Sequence, residues 1–121
     1  MKIASAHGAA ILVVGLGTWE LRGEECVRCV TEAIATDYRH IDTAPLYGNE
    51  DRVGEGIRAA GIARNEVFIT TKCAPPDLDD ASFKSSVERS LKLLGIDQVD
   101  LVLIHAPDKT LGVAEQIATL N

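Results

Sequence analysis

The chain has 121 residues, 46% hydrophobic and 25% charged, enough apolar content to build a core and too much to be disordered. Lys and Arg total 12 against 18 Asp and Glu, a formal net charge of -6 without a basic tail or run, which argues against a nucleic-acid partner. The longest apolar run, Ala9 to Gly17, is about half of the roughly 20 residues a spanning helix needs, so no membrane span is expected.

Lys2 followed by Ala9 to Val14 loosely imitates a secretory signal peptide, but no small-x-small cleavage site follows, and Gly17-Thr18-Trp19-Glu20 reads into folded structure. Three cysteines without a regular framework fit a reducing, cytoplasmic setting. Cys26 and Cys29 form a C-x-x-C inside a helical pattern rather than at its start, where a dipole would activate a thiolate. Two core-facing thiols are the expectation.

In chain order, Ile11 to Gly17 reads as a strand ending in glycines. Glu24 to Tyr38 reads as a helix, with Val27, Val30, Ile34 and Tyr38 recurring at helical spacing. Arg39 to Thr43 is a second strand. Asn49 to Ala60 is a second helix, in which Asn49 suits the N-cap, Glu50 and Asp51 the first turn and Gly61 the end. Val67 to Thr71 is a third strand. Ser82 to Leu94 is a third helix, with Phe83, Val87, Leu91 and Leu94 as its apolar face and Gly95 as C-cap. Val99 to Ile104 is a fourth strand, and Gly112 to Leu120 a fourth helix. Continuous apolar strands between helices imply a parallel α/β sheet. Two folds compete, the doubly wound open sheet and the (βα)8 barrel; a barrel needs about 250 residues, so only about four βα units are encoded here.

The strand ends carry the informative residues. Strand two ends at Asp42, strand three at Lys72 and strand four at His105, each about 30 residues from the last, one βα unit. Neighbouring strands lie about 4.8 Å apart, so these side chains can converge on one rim, the rim where parallel folds place their chemistry. Tyr47, five residues past Asp42, can lean over it. A phenol ionises only near pH 10, but an adjacent ammonium stabilises the phenolate. Lys72 would therefore tune Tyr47 as a proton donor, Asp42 would hold the lysine charged, and His105 would orient a carbonyl. No side chain supplies hydride, so a nicotinamide cofactor is implied. Each residue also has an ordinary reading: Lys72 as a solvated strand end, Asp42 as a local cap, His105 as a satisfied core histidine.

Four separated motifs then resemble the N-terminal portion of the aldo-keto reductases: Gly15-Leu16-Gly17-Thr18-Trp19, Arg39 to Glu50, Val67 to Lys72 and Val99 to His105. The resemblance covers nearly the whole of residues 1–121 as a partial oxidoreductase domain. It implies the first part of a (βα)8 barrel closed below by a hairpin, Lys2 to Ala6 and Ala9 to Val13 around His7-Gly8, and an NADPH-dependent reduction of aldehydes and ketones. By it, Tyr47 is the proton donor, Lys72 its tuner, Asp42 the lysine's partner and His105 the substrate-orienting imidazole. Gly17, Thr18 and Trp19 approach the nicotinamide, Asp42 reaches its ribose, and Trp19, Tyr47 and His105 line the substrate pocket. Trp19 has an alternative as a buried packing aromatic. Ala106 stands where the family commonly has Trp, so one pocket wall is built differently.

The family's later strands, with most of the nicotinamide contacts and the basic groups for the 2′-phosphate, are missing, so a truncated enzyme is expected. A half barrel would expose two strand edges and an apolar sheet face, through which it can self-associate or meet a complementary chain. A noncatalytic module in which Asp42 and Lys72 form only a buried ion pair is the reading from another class. The Gly15-x-Gly17 pair, with Asp37 downstream, imitates a dinucleotide fingerprint, but Glu20 occupies the third glycine position and sets a negative charge where a pyrophosphate would lie. No cysteine and histidine pairing has zinc-ligand spacing, and Cys73 reads as a packing residue.

Overall fold

The computed structural model describes residues 2–121. The chain opens with a hairpin of β1, Ile3–Ala6, and β2, Ala9–Leu12, antiparallel with Ile3 opposite Leu12. Its two-residue turn places His7 and Gly8 both at positive φ, 47° and 81°, the backbone twist that a tight hairpin prefers. Four parallel strands follow in one sheet: β3, Leu16–Gly17; β4, His40–Asp42; β5, Phe68–Cys73; and β6, Leu101–Ile104. Between and after them run α1, Gly23–Ala35; α2, Glu50–Ala59; α3, Asp80–Leu94; and α4, Val113–Ala118.

The strand order β3-β4-β5-β6 is sequential, which decides between the two parallel folds. A doubly wound sheet reverses its order at a switch point and carries helices on both faces. Here no reversal occurs, and the core joins Cys26, Val30 and Ile34 of α1, Val53 and Ile57 of α2 and Leu94 of α3 to Ile41 and Ile69 on one sheet face. That is the wall of a (βα)8 barrel with about four of its units.

Strand alternation assigns the other face. Ile41 and Ile69 are register partners beneath the helices, so Asp42, Thr70, Lys72 and Leu103 point the opposite way. This open face is not apolar throughout, as the sequence suggests. His40 donates from Nδ1 to the Leu12 carbonyl at 2.9 Å and accepts at Nε2 from the Thr70 hydroxyl at 2.8 Å, fixing its tautomer and tying the hairpin to the sheet.

Three elements and one pair of thiols depart from the sequence reading. The single strand expected over Ile11 to Gly17 is two, because β2 is committed to the hairpin; Val13 and Val14 between them are each 52% exposed. Gly15 then passes so close to β4 that a Cβ there would lie 2.9 Å from the His40 carbonyl oxygen. Helix α1 stops at Ala35 rather than Tyr38, since Asp37 takes a left-handed turn, φ 71°, which Asp tolerates better than most residues. Helix α3 buries Ser86, Ser90 and Leu94 rather than the full apolar line of Phe83, Val87 and Leu91, which is only half-buried. The serine stripe has a cause in α2: the buried Glu50 accepts hydrogen bonds from Thr71 Oγ1 at 2.7 Å and Ser90 Oγ at 3.1 Å. Of the two C-x-x-C thiols only Cys26 is buried, and Cys29 is half-exposed at the helix flank.

Candidate active site

Three of the four rim residues are delivered by consecutive strands. Asp42 is the last residue of β4, Lys72 lies one before the end of β5, and His105 directly follows β6, its N–H still bonded to the Cys73 carbonyl at 2.9 Å. Tyr47 arrives differently. Pro45–Tyr47 form a single 3-10 turn, closed by Gly48 at φ 65°, which returns the chain over the rim before α2 begins. Only a residue tolerant of the left-handed region ends that turn without strain.

Lys72 is the hub. Its Nζ donates to Asp42 Oδ1 at 2.5 Å, to the Thr43 carbonyl at 3.0 Å and to Tyr47 Oη at 3.2 Å. An ammonium has three donors, and all three are engaged. The lysine side chain is 13% exposed and the aspartate 33%, so the pair is screened by protein on most sides and open on one. Nζ stands 4.9 Å from the Tyr47 ring centroid. His105 meets the edge of the same ring, centroids 5.6 Å apart at 82°. The Nδ1 of His105 is buried without a hydrogen-bond partner among the described residues, so it does not meet the reading of a satisfied core histidine. Asp42, Tyr47, Lys72 and His105 are therefore one cluster.

The segment before α1 borders it. Gly17 pairs with Asp42, and a Cβ on Gly17 would meet nothing within 4 Å. Thr18 is fully buried and donates both its N–H and its hydroxyl to the Asp42 carbonyl at 3.0 Å. Trp19 is 67% exposed, which removes its reading as a buried packing aromatic. Open ground beside Gly17, an exposed indole and a part-exposed carboxylate suit a flat heteroaromatic ring with an attached sugar, and these residues thus fit a nicotinamide nucleotide.

Sequence reasoning missed three contributors. Thr43 supplies the carbonyl that takes the second lysine proton. Arg22 donates from Nη1 to the Tyr47 carbonyl at 2.8 Å, bracing the 3-10 turn. Asn49 stands at the N-cap position, but its side chain makes no cap bond. Instead Nδ2 donates to the carbonyls of Thr18 at 2.7 Å and Leu21 at 3.0 Å, while Oδ1 accepts from the Thr43 hydroxyl at 3.2 Å. The signal available for Asn49 was its place two residues after Tyr47, which local rules read as a cap. The hollow lined by Arg64, Ile96, Gln98 and Asp100 lies at the amino ends of β5 and β6, away from this chemistry.

A parallel βα wall with its ionisable cluster at the carboxyl rim defines the class, a barrel-type α/β protein. The sequence profile of the Aldo/keto reductase family matches residues 13–121. The chain is similar to an aldo-keto reductase of Mycolicibacterium smegmatis, 50% identical over 95 residues that cover 78% of this chain and 34% of that protein. It is also similar to the glycerol 2-dehydrogenase (NADP(+)) of Saccharomyces cerevisiae, 43% identical over 109 residues, 88% of this chain and 34% of the yeast protein. Among solved structures, an aldo/keto reductase from Brucella melitensis superposes with a TM-score of 0.89 at 41% identity, covering 98% of this chain and 46% of that one. The chain belongs to the aldo/keto reductase family, and it spans about a third of the length of these two sequence relatives.

Proposed function

We propose that this rim reduces aldehydes and ketones to alcohols with NADPH. The observation that carries the reading is the lysine ammonium that reaches Asp42, Thr43 and the Tyr47 hydroxyl at once. Tyr47 gives its proton to the carbonyl oxygen of a small substrate. The phenolate left behind faces an ammonium at hydrogen-bond distance, which offsets the cost of its charge. Asp42 pairs with that ammonium and fixes its position in a partly enclosed place. His105, edge-on to the tyrosine, orients the carbonyl through its ring. Gly17, Trp19 and Asp42 would hold the nicotinamide nucleotide, with Trp19 also bordering the substrate; Thr18, fully buried and bonded to the Asp42 carbonyl, braces the rim instead of touching the cofactor. When bound, the cofactor supplies the hydride. NADP(+) in the name of the yeast relative supports the choice of NADPH over NADH.

The strand edges of β3 and β6 are unpaired among the described residues, so self-association through them belongs to the same proposal. The free thiols and acidic charge fit a cytoplasmic protein without a nucleic-acid partner; no helix is long and apolar enough to cross a membrane.

The test is a titration of NADPH into the 121-residue chain, followed by quenching of its one tryptophan, with molar mass measured by light scattering in the same buffer. Saturable quenching and aldehyde-dependent NADPH oxidation are expected. Tyr47→Phe should lower turnover about 100- to 10,000-fold and leave NADPH affinity nearly unchanged. A folded chain that binds no NADPH, or a Tyr47→Phe variant that turns over normally, refutes the reading.

A further inference from the structure

Asn49 is 1% exposed, and every hydrogen-bonding atom of its amide is engaged with something other than its own helix. Two carbonyls on one side require two donors, which fixes the amide nitrogen toward Thr18 and Leu21 and the oxygen toward Thr43. The two sides belong to different parts of the rim. Thr18 and Leu21 bracket the β3–α1 loop that carries Trp19. Thr43 lies beside Asp42 and presents its own carbonyl to Lys72. The loop is tied at its ends, by Thr18 to Asp42 and by Leu21 against the core, but its middle is exposed: Trp19 is 67% exposed, and Glu20 adopts φ 64° without being glycine, a conformation that persists only when its surroundings impose it.

We propose that Asn49 is a positioning residue, a clamp that fixes the Trp19 loop against the Asp42, Tyr47 and Lys72 cluster, a role that rests on reading the cluster as a reductase site. Its amide joins the loop's carbonyls to Thr43, and Thr43 joins it to Lys72. Arg22 closes the circuit from the far end of the loop, through the Tyr47 carbonyl. Thr18 adds the direct tie, from its N–H and hydroxyl to the Asp42 carbonyl. A ligand that lies on Trp19 and a proton donor that depends on Lys72 are thereby held in one frame, in which the buried Asn49 amide is the side chain that joins both loop carbonyls to Thr43.

The chain's single tryptophan reads the clamp directly. Asn49→Asp is isosteric but turns two donors into acceptors facing the Thr18 and Leu21 carbonyls. Asn49→Ala removes the bonds without that repulsion; the Thr18 carbonyl keeps the Leu21 N–H at 3.2 Å. In both variants time-resolved anisotropy of Trp19 should gain a fast local component. Hydrogen exchange at Leu21 should quicken about tenfold, and NADPH affinity should fall about tenfold. Val53→Ala, a core truncation on the same helix, serves as the control for loss of stability alone. It should lower the melting temperature and leave Trp19 mobility and NADPH affinity within about twofold of the parent. Unchanged Trp19 mobility in the Asn49 variants, or the same change in Val53→Ala, overturns the clamp. Should neither Asn49 variant fold, Thr43→Val removes only the Oδ1 partner and should shift Trp19 mobility in the same direction by a smaller amount; no shift overturns the proposal. Failure of the parent chain to bind NADPH overturns the reductase reading, whereas the ligand-free anisotropy decides the clamp by itself.

Discussion

Replacing Lys72 by Met breaks the hub of the rim, and the structure sets the size of the loss. Three hydrogen bonds disappear together, to Asp42, Thr43 and Tyr47. Removing one partner of a fully buried pair costs about 3 to 5 kcal/mol, because the remaining charge is stranded, whereas an exposed pair is worth about 0.2 to 1 kcal/mol. With the lysine side chain 13% and the aspartate 33% exposed, the stranded carboxylate recovers part of its hydration, and the expected cost is about 1 to 3 kcal/mol. Urea unfolding followed by far-UV circular dichroism measures it. Asp42→Asn removes the charge that Lys72→Met strands, so the double variant should be more stable than the sum of the two single losses predicts, by about 1 to 2 kcal/mol. Turnover should not recover with stability: the double variant still lacks the ammonium beside Tyr47 and should remain about 100- to 10,000-fold slow. Additivity within about 0.3 kcal/mol would show that the two groups do not interact in solution and would refute the reasoning from the 2.5 Å contact.

Three further outcomes follow from other parts of the chain. Burial raises the Glu50 carboxyl above its ordinary range, against the opposing pull of the Thr71 and Ser90 hydroxyls. A carboxyl raised in the folded state opposes folding progressively as pH rises above its unfolded value, near 4.3. Glu50→Gln should therefore gain stability relative to the parent between acid and neutral pH, and a difference independent of pH would contradict this. Gly54→Ala would place a Cβ 2.2 Å from the Leu94 carbonyl oxygen, which forces α2 and α3 apart at about 1 to 3 kcal/mol or more. Gly112→Ala, at φ -65° with nothing within 4 Å, should be nearly neutral by the same melting assay. Burial pushes the thiols of Cys26 and Cys73 up to about 11, so a disulfide exchange reagent at neutral pH should label the half-exposed Cys29 in the native chain and the other two only on unfolding.

Sequence alone disclosed more of the rim than of the scaffold around it. Asp42, Lys72 and His105 were legible because each falls at the end of an expected strand, and parallel strands bring their carboxyl ends together whatever the helices do. The glycines that end α2 and α3 were legible from local chemistry: Gly61 and Gly95 both adopt positive φ, 70° and 69°. The break at Val13 and Val14 was not, since a run of β-branched residues carries no mark of where one strand leaves a hairpin and the next joins a sheet. Asn49 was placed at the N-cap, where it stands, but the use of its side chain was not legible, because a cap and a long-range tie use the same amide and only tertiary contact separates them. The serines of α3 were hidden for a related reason. A helix face is sought in apolar residues, yet Ser90 faces inward to serve a carboxylate on another helix.

Strand alternation explains why core and chemistry are placed by the same residues. On β4, Ile41 is fully buried beneath the helices while its neighbours His40 and Asp42 take the open face. On β5, Ile69, Thr71 and Cys73 go inward and Thr70 and Lys72 outward. The apolar partners therefore set the register that carries Lys72 to Asp42, and a slip of one residue would bury the lysine under α2 and α3. Lys72 lies two residues past Thr70, which is level with Asp42, a rise of about 6.6 Å along the strand. Only a long, flexible side chain closes that gap while meeting a carboxylate, a backbone carbonyl and a phenol at once. An arginine, with a planar fork and no compact ammonium, has the reach but not the geometry to serve the three acceptors from one atom, so Lys72→Arg should keep the charge yet fail to restore the Tyr47 contact.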